Sequence, residues 1–196
     1  MKWVLKVGGS LYARPELARA LAHAAQIGGG ADSGVIVPGG GPFADQVRRA
    51  QGRWRFADDA AHRMALLGMR QYGHMLSALS GLEAIEKTPG AAPGCAVWLP
   101  TEREPAWLPD GLAAPAPDWD LSSDSIAASL AARIGAQWLA FLKPVPLRRA
   151  GAFAALVDPH CRGIAQGRLR VACLALEEWL ALKALARLED HEAPLS

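Results

Sequence analysis

Trp3-Val-Leu-Lys-Val-Gly-Gly-Ser-Leu11 decides the fold of this chain. Val4, Leu5 and Val7 form a short apolar run of the kind that becomes a buried parallel strand. Lys6 interrupts it, and a buried ammonium is costly unless an anion or a carboxylate meets it. Gly8 and Gly9 follow at once. Without Cβ atoms they let backbone N–H groups approach a ligand and take turn dihedrals closed to other residues. Ser10 adds a hydroxyl. Pro15 and Glu16 then open a helix, proline being suited to a first helical turn. Strand, glycine turn and helix make a phosphate-binding arrangement. The spacings GxxxxGK[ST] and GxGxxG are absent, and here the lysine precedes the glycines.

The same unit recurs downstream. A helix over about 15–26, with Leu17 and Leu21 on its apolar face, ends at Gly28-Gly-Gly30. Val35-Ile-Val37 is a β-branched run closed by Pro38. It delivers Gly39, Gly40 and Gly41, then Pro42 for the next helix. Ligands of open α/β sheets sit at the carboxyl ends of the strands. Two adjacent phosphate cradles suit a donor and an acceptor phosphate.

A long helix is expected over Asp58–Ser80, with Met64, Leu67, Tyr72, Met75, Leu76 and Leu79 in the core. Asp58, Asp59 and His62 fall in its first turns, where a carboxylate is favourable with the dipole. Ala96-Val-Trp-Leu99 reads as a strand. The proline-rich stretch 100–117, with Trp107, reads as a loop. In Asp118-Trp-Asp-Leu-Ser-Ser-Asp-Ser-Ile-Ala-Ala128, Ser122 or Ser123 caps a helix that carries Asp124 in its first turn and turns Ile126, Leu130 and Ile134 inward. Trp138-Leu-Ala-Phe-Leu142 is a buried strand with Lys143 at its carboxyl end. A further strand over 169–174 and a leucine-rich helix over 177–188 complete the chain, the leucines serving core or dimer packing.

Composition sets bounds. The chain has 196 residues, 51% hydrophobic and 20% charged, enough for one core-bearing domain. A net charge of +2 argues against nucleic acid as the partner. Arg48, Arg49, Arg53 and Arg55 are a basic cluster, either a solvated helix end or a wall for an anionic substrate. The three cysteines, Cys95, Cys161 and Cys173, form no CxxC pair. With no signal-peptide pattern and no apolar run of about 20 residues, the expectation is a cytoplasmic protein without a membrane partner. His160-Cys161 has too few neighbouring ligands for a metal site.

Three stretches carry a family resemblance. Lys6-Val-Gly-Gly-Ser-Leu11 resembles the opening of the amino acid kinase superfamily, and Pro38-Gly-Gly-Gly-Pro-Phe-Ala-Asp45 its second motif. Ser123-Asp-Ser-Ile-Ala-Ala128 resembles the segment whose aspartate holds the catalytic lysines. Pro38–Asp45 with Val47-Arg48, the Asp58…His62 pattern before Met64-Ala-Leu-Leu, and Arg70-Gln-Tyr-Gly-His74 are most similar to the small branch that phosphorylates (5-(aminomethyl)furan-3-yl)methyl phosphate in methanofuran biosynthesis. The resemblance implies a three-layer α/β/α sandwich with a mostly parallel sheet, residues 1–117 forming an acceptor-binding lobe and 118–196 a reduced nucleotide-binding lobe.

It also implies a phosphotransferase using ATP, with Mg2+ carried by the nucleotide and no dedicated metal site. Lys6, Asp124 and Lys143 would be catalytic, and Lys6 has no other obvious partner in the sequence. Gly8, Gly9, Ser10, Ser123, Lys143 and Asp158 would bind the nucleotide. Gly39, Gly40, Gly41, Arg48, Asp58 and His62 would bind a small phosphorylated acceptor. The chain departs from the family after Lys143. Pro144–Gly151 stands where relatives continue into Asp-Gly and a β-hairpin, so a short connection is expected there. The family implies a homodimer or higher homo-oligomer, and several exposed tryptophans are expected to contribute. Isopentenyl phosphate or a nucleoside monophosphate are alternative acceptors. A non-catalytic binding protein, like the molybdenum-storage relatives, is the alternative of a different class.

Overall fold

The computed structural model describes residues 1–29, 31–90, 93–101, 119, 121–144 and 156–193. Its strands are β1 (Lys2–Val7), β2 (Ser33–Pro38), β3 (Glu83–Ile85), β4 (Gly94–Trp98), β5 (Trp138–Lys143) and β6 (Arg170–Ala175). They form one sheet in the order β3-β4-β2-β1-β5-β6, and every pairing between them is parallel. The helices are α1 (Leu17–Ile27), α2 (Gly41–Trp54), α3 (Asp58–Ser80), α4 (Ser123–Arg133), α5 (Pro159–Ala165) and α6 (Leu176–Ala181). Short 3₁₀ turns cover Gly9–Leu11 and Leu185–His191. With helices on both sides of the sheet, this is the expected three-layer α/β/α sandwich.

The period of two along each strand explains where the charges go. On β1, Trp3, Leu5 and Val7 join the apolar layer under α1 and α6. Val4 joins the opposite layer, under α4. Lys6 has the parity of Val4 and so faces α4. On β5, Leu139 and Phe141 face the α4 layer, and Lys143 continues that row. Lys6 aligns with Phe141 in the β1–β5 register, so Lys143 lies two residues further along the neighbouring strand on the same face. Each buried apolar side chain of β1 stabilises by about 1.5–3 kcal/mol. Four of them outweigh the several kcal/mol of placing one paired ammonium among them.

Several expectations are corrected. Tyr72 and Leu76 of α3 are buried, but Met64, Leu67 and Leu79 are about 40% exposed. The buried stripe runs instead through Ala61, Leu66, Met69, Tyr72 and Leu76. Two apolar stripes lie on α3 at helical spacing, and only one meets the sheet. The C-terminal helix stops at Ala181, because Leu182 is extended. Leu182, Leu185 and Leu188 then pack into the core below α1, so they are core residues and not a dimer face. Among the described tryptophans only Trp54 is exposed; Trp3, Trp98, Trp138 and Trp179 are buried. β3 and α5 were not foreseen. Trp107 and all of the connection 144–151 beyond Pro144 lie outside the described residues.

Candidate active site

Asp124 is held where two strands deliver their lysines. Ser122 caps α4, its Oγ accepting the Asp124 N–H at 3.1 Å. This fixes the first turn of α4 above the carboxyl ends of β1 and β5. Lys6 Nζ lies 2.7 Å from Asp124 Oδ1 as an ion pair. Lys143 Nζ donates to Asp124 Oδ2, also at 2.7 Å. The three side chains are 6–9% exposed. Burial alone would raise the Asp124 pKa, but the Lys6 and Lys143 ammonium groups outweigh it and hold the carboxyl below its usual range. The Lys143 pKa is lowered, first by burial and then by repulsion from Lys6, although Asp124 opposes both. Two cations share one carboxylate, so the cluster carries a net positive charge in a poorly solvated place. Such a cluster is completed by an anion.

The anion has a cleft to enter. A cavity of about 400 Å³ opens over the strand ends and is lined by Lys6, Lys143, Gly8, Gly9, Ser10, Gly40, Gly41 and Ser123 on its polar side. The two glycine turns touch backbone to backbone. A Cβ on Gly9 would lie 2.4 Å from Gly41 N, and one on Gly39 2.6 Å from Gly9 N. Gly41 also has φ +54°, a conformation side chains other than glycine rarely adopt. Not every glycine N–H is available, however. Gly39 N–H goes to Val7 O at 2.8 Å, and Gly8 N–H to Leu142 O at 3.4 Å. Gly39 therefore brings the turns together and lies off the cavity wall. Gly9, Ser10, Gly40 and Gly41 have no backbone acceptor for their N–H groups among the described residues. They form the cradle, at the starts of a 3₁₀ turn and of α2.

The other side of the cleft is apolar, with Ala44, Ala65, Leu66, Met69, Leu121 and Ile126. Arg48 and His62 stand among them. Burial lowers the His62 pKa, with Asp59 opposing, so its imidazole is neutral near pH 7. Asp58 lies beyond the main cavity, beside a small recess that it shares with His62 and Trp119. Its Oδ1 accepts from Gln51 Nε2 at 2.7 Å.

Asp158 has a job that the sequence did not disclose. Its Oδ1 accepts the Cys161 N–H at 2.8 Å and caps α5. Its Oδ2 accepts the Ser122 hydroxyl at 2.5 Å and the Ser125 N–H at 3.1 Å, and Oδ1 also accepts the Ser125 hydroxyl. Both oxygens are engaged inside the protein, pinning the loop that positions Asp124. Asp158 is half-buried and is not among the described residues that line the cleft.

Trp119, Ser122 and Asp45 also line the cleft and were missed as site residues. From the sequence Ser122 reads only as a cap, and Trp119 carries no role. Asp45 lies one helical turn before Arg48, and that spacing was the available signal. The described residues hold no group of three or more His, Cys, Asp or Glu side chains fit to bind a metal ion. Burial pushes the thiols of Cys95 and Cys173 up to about 12, which leaves them protonated and poor nucleophiles.

A six-stranded parallel α/β/α sandwich with a lysine–aspartate–lysine cluster over two glycine turns is an amino acid kinase-like fold. The model of the amino acid kinase family matches residues 1–93, just under half of the chain. Comparison with curated proteins gives no significant match. Uridylate kinase from Archaeoglobus fulgidus superposes with TM-score 0.62 at 16% identity, covering 92% of this chain and 94% of that one. UMP kinase from Bacillus anthracis gives 0.64 at 12% identity, covering 98% and 93%. Aspartate kinase from Synechocystis gives 0.57 at 17% identity, with 89% of this chain covered but only 38% of the larger enzyme. At these identities the likeness is one of fold.

Proposed function

We propose that this protein is an ATP-dependent kinase that adds a phosphoryl group to the phosphate of a small acceptor. The observation that carries the reading is the buried Lys6–Asp124–Lys143 cluster, whose net positive charge faces a cleft edged by unspent backbone N–H groups. The family match over residues 1–93 supports it. ATP supplies the transferred group and brings Mg2+ with it. Lys6 meets the negative charge that grows on the group in transfer, and Lys143 holds the donor phosphates. Asp124 keeps both ammonium groups aimed. Gly9, Ser10, Gly40 and Gly41 give N–H donors to phosphate oxygens. An acceptor phosphate is already ionised near neutral pH, so the neutral His62 serves as a contact and no strong base is needed.

In this reading residues 1–117 bind the acceptor and 118–196 the nucleotide. The apolar wall of Leu66 and Met69 favours an acceptor with a compact, weakly polar body over one with many hydroxyls. The sequence resemblance names (5-(aminomethyl)furan-3-yl)methyl phosphate, leading to the diphosphate used in methanofuran-type cofactor synthesis. The test is phosphoryl transfer from ATP to that compound, to isopentenyl phosphate and to UMP. Turnover of the furan phosphate at least tenfold above the others supports the reading. ATP that fails to bind at millimolar concentration, with or without Mg2+, favours the non-catalytic alternative. The exposed α3 stripe of Met64, Leu67 and Leu79 supports a homodimer formed through that helix.

A further inference from the structure

Arg48 is the one guanidinium on the cleft wall among the described residues, and it does not stand there unaided. It is an exposed side chain of α2, 51% accessible. A free arginine in that position samples many rotamers, with about 2 kcal/mol of side-chain entropy. Two contacts restrict it. Its guanidinium lies 4.4 Å from the centre of the Trp119 ring, and its Nη1 donates to Asp45 Oδ1 at 2.9 Å. Trp119 is itself pinned, its Nε1 donating to Gln51 Oε1 at 2.6 Å. Gln51 is fixed in turn, its Nε2 donating to Asp58 Oδ1 at 2.7 Å and to Phe56 O at 3.2 Å. A single chain of contacts thus runs from the start of α3 to the guanidinium beside the cleft.

We propose that Trp119 is a positioning residue that holds Arg48 against the cleft wall, so that the guanidinium meets the phosphate the acceptor already carries. Asp45 alone does not achieve this, because an exposed i, i+3 pair is weak and leaves the arginine free to turn outward. The indole face adds an attraction that favours one orientation. The proposal rests on the phosphate-acceptor reading, and the test separates the two.

The experiment is a double-mutant cycle on acceptor KM and kcat, run with ATP and (5-(aminomethyl)furan-3-yl)methyl phosphate, using Trp119→Leu, Arg48→Leu and both together. Arg48→Leu should raise KM about 30-fold, the loss of a charge-assisted pair. Trp119→Leu should raise KM about fivefold, in the range of one exposed cation–π contact, with kcat moving less. In the Arg48→Leu background Trp119→Leu should change KM less than twofold. Trp119→Phe keeps a ring face and should recover most of the loss. If Trp119→Leu raises KM as much without Arg48 as with it, the indole contacts the acceptor directly and the positioning role is overturned. If Arg48→Leu leaves KM unchanged while turnover persists, this proposal falls and the kinase reading stands. If the wild-type protein transfers phosphate to no acceptor, both fall together.

Discussion

Replacing Asp124 by Asn is the most informative perturbation of stability. It removes one negative charge and almost no volume. Lys6 and Lys143 then keep their positions with no counter-ion, each less than a tenth exposed. Breaking a buried pair by deleting one partner costs about 3–5 kcal/mol, because the charge left behind is uncompensated. For a chain of this length that lowers Tm by about 10 °C. Lys143→Met is the control. It leaves Lys6 and Asp124 as a one-to-one pair, so its Tm should hold or change by less than half as much. Phosphate or pyrophosphate should stabilise Asp124→Asn more than wild type, since the variant has gained a net charge in the same cleft. The pH dependence follows from the shifted groups. Asp124 has a lowered pKa, so its contribution is complete above its unfolded value of about 3.8 and is lost as pH falls through the folded value. Lys143 is also lowered, so between its folded pKa and about 10.5 the unfolded chain binds more protons and stability rises with pH. In Asp124→Asn the deficit should therefore shrink toward pH 10. A thermal melt is the assay. A Tm within about 2 °C of wild type, with no extra response to phosphate, would refute the view that Asp124 neutralises both lysines.

Asp158→Ala removes the cap of α5 and the anchor of Ser122 and Ser125. It should cost about 3 kcal/mol, read as a lower urea midpoint, while folded protein keeps its ATP affinity; lost affinity at unchanged stability would assign Asp158 to the nucleotide. Leu67→Glu places a charge in the exposed stripe of α3 and should turn a dimer into a monomer by light scattering at micromolar concentration. A wild-type protein that is already monomeric there removes α3 as an interface.

Much of the fold was legible because the strand signals were local. Val4–Val7, Val35–Val37 and Trp138–Leu142 are apolar runs ended by glycine, proline or lysine, and each became a central strand. The Lys6–Asp124 meeting was legible mainly through the resemblance of Ser123–Ala128 to the segment whose aspartate holds the catalytic lysines; the residues alone said only that a lysine inside an apolar run requires an anion. Which stripe of α3 would be buried was not legible, because Leu66 and Leu67 are both leucine and only tertiary packing chooses between them. The break at Leu182 was hidden for a related reason. Leu180, Leu182, Leu185 and Leu188 suit a helix or a packed 3₁₀ turn equally well, and contact with α1 decides. The role of Asp158 depended on three donor residues, Ser122, Ser125 and Cys161, the first two more than 30 residues away in sequence. Trp119 escaped because an aromatic beside a cleft has no sequence period to mark it.

The central claim is that Lys6 acts on the group in transfer. In Lys6→Ala, Asp124 keeps Lys143 as its partner, so Tm should hold or rise. Phosphoryl transfer from ATP to (5-(aminomethyl)furan-3-yl)methyl phosphate should fall about 10²–10³-fold in kcat, as for loss of a preorganised electrostatic group. Acceptor KM should change by less than about threefold, because the ammonium matters most when charge develops. A correctly folded Lys6→Ala protein with near wild-type turnover contradicts the account and leaves Val4–Ser10 as only a strand and a turn.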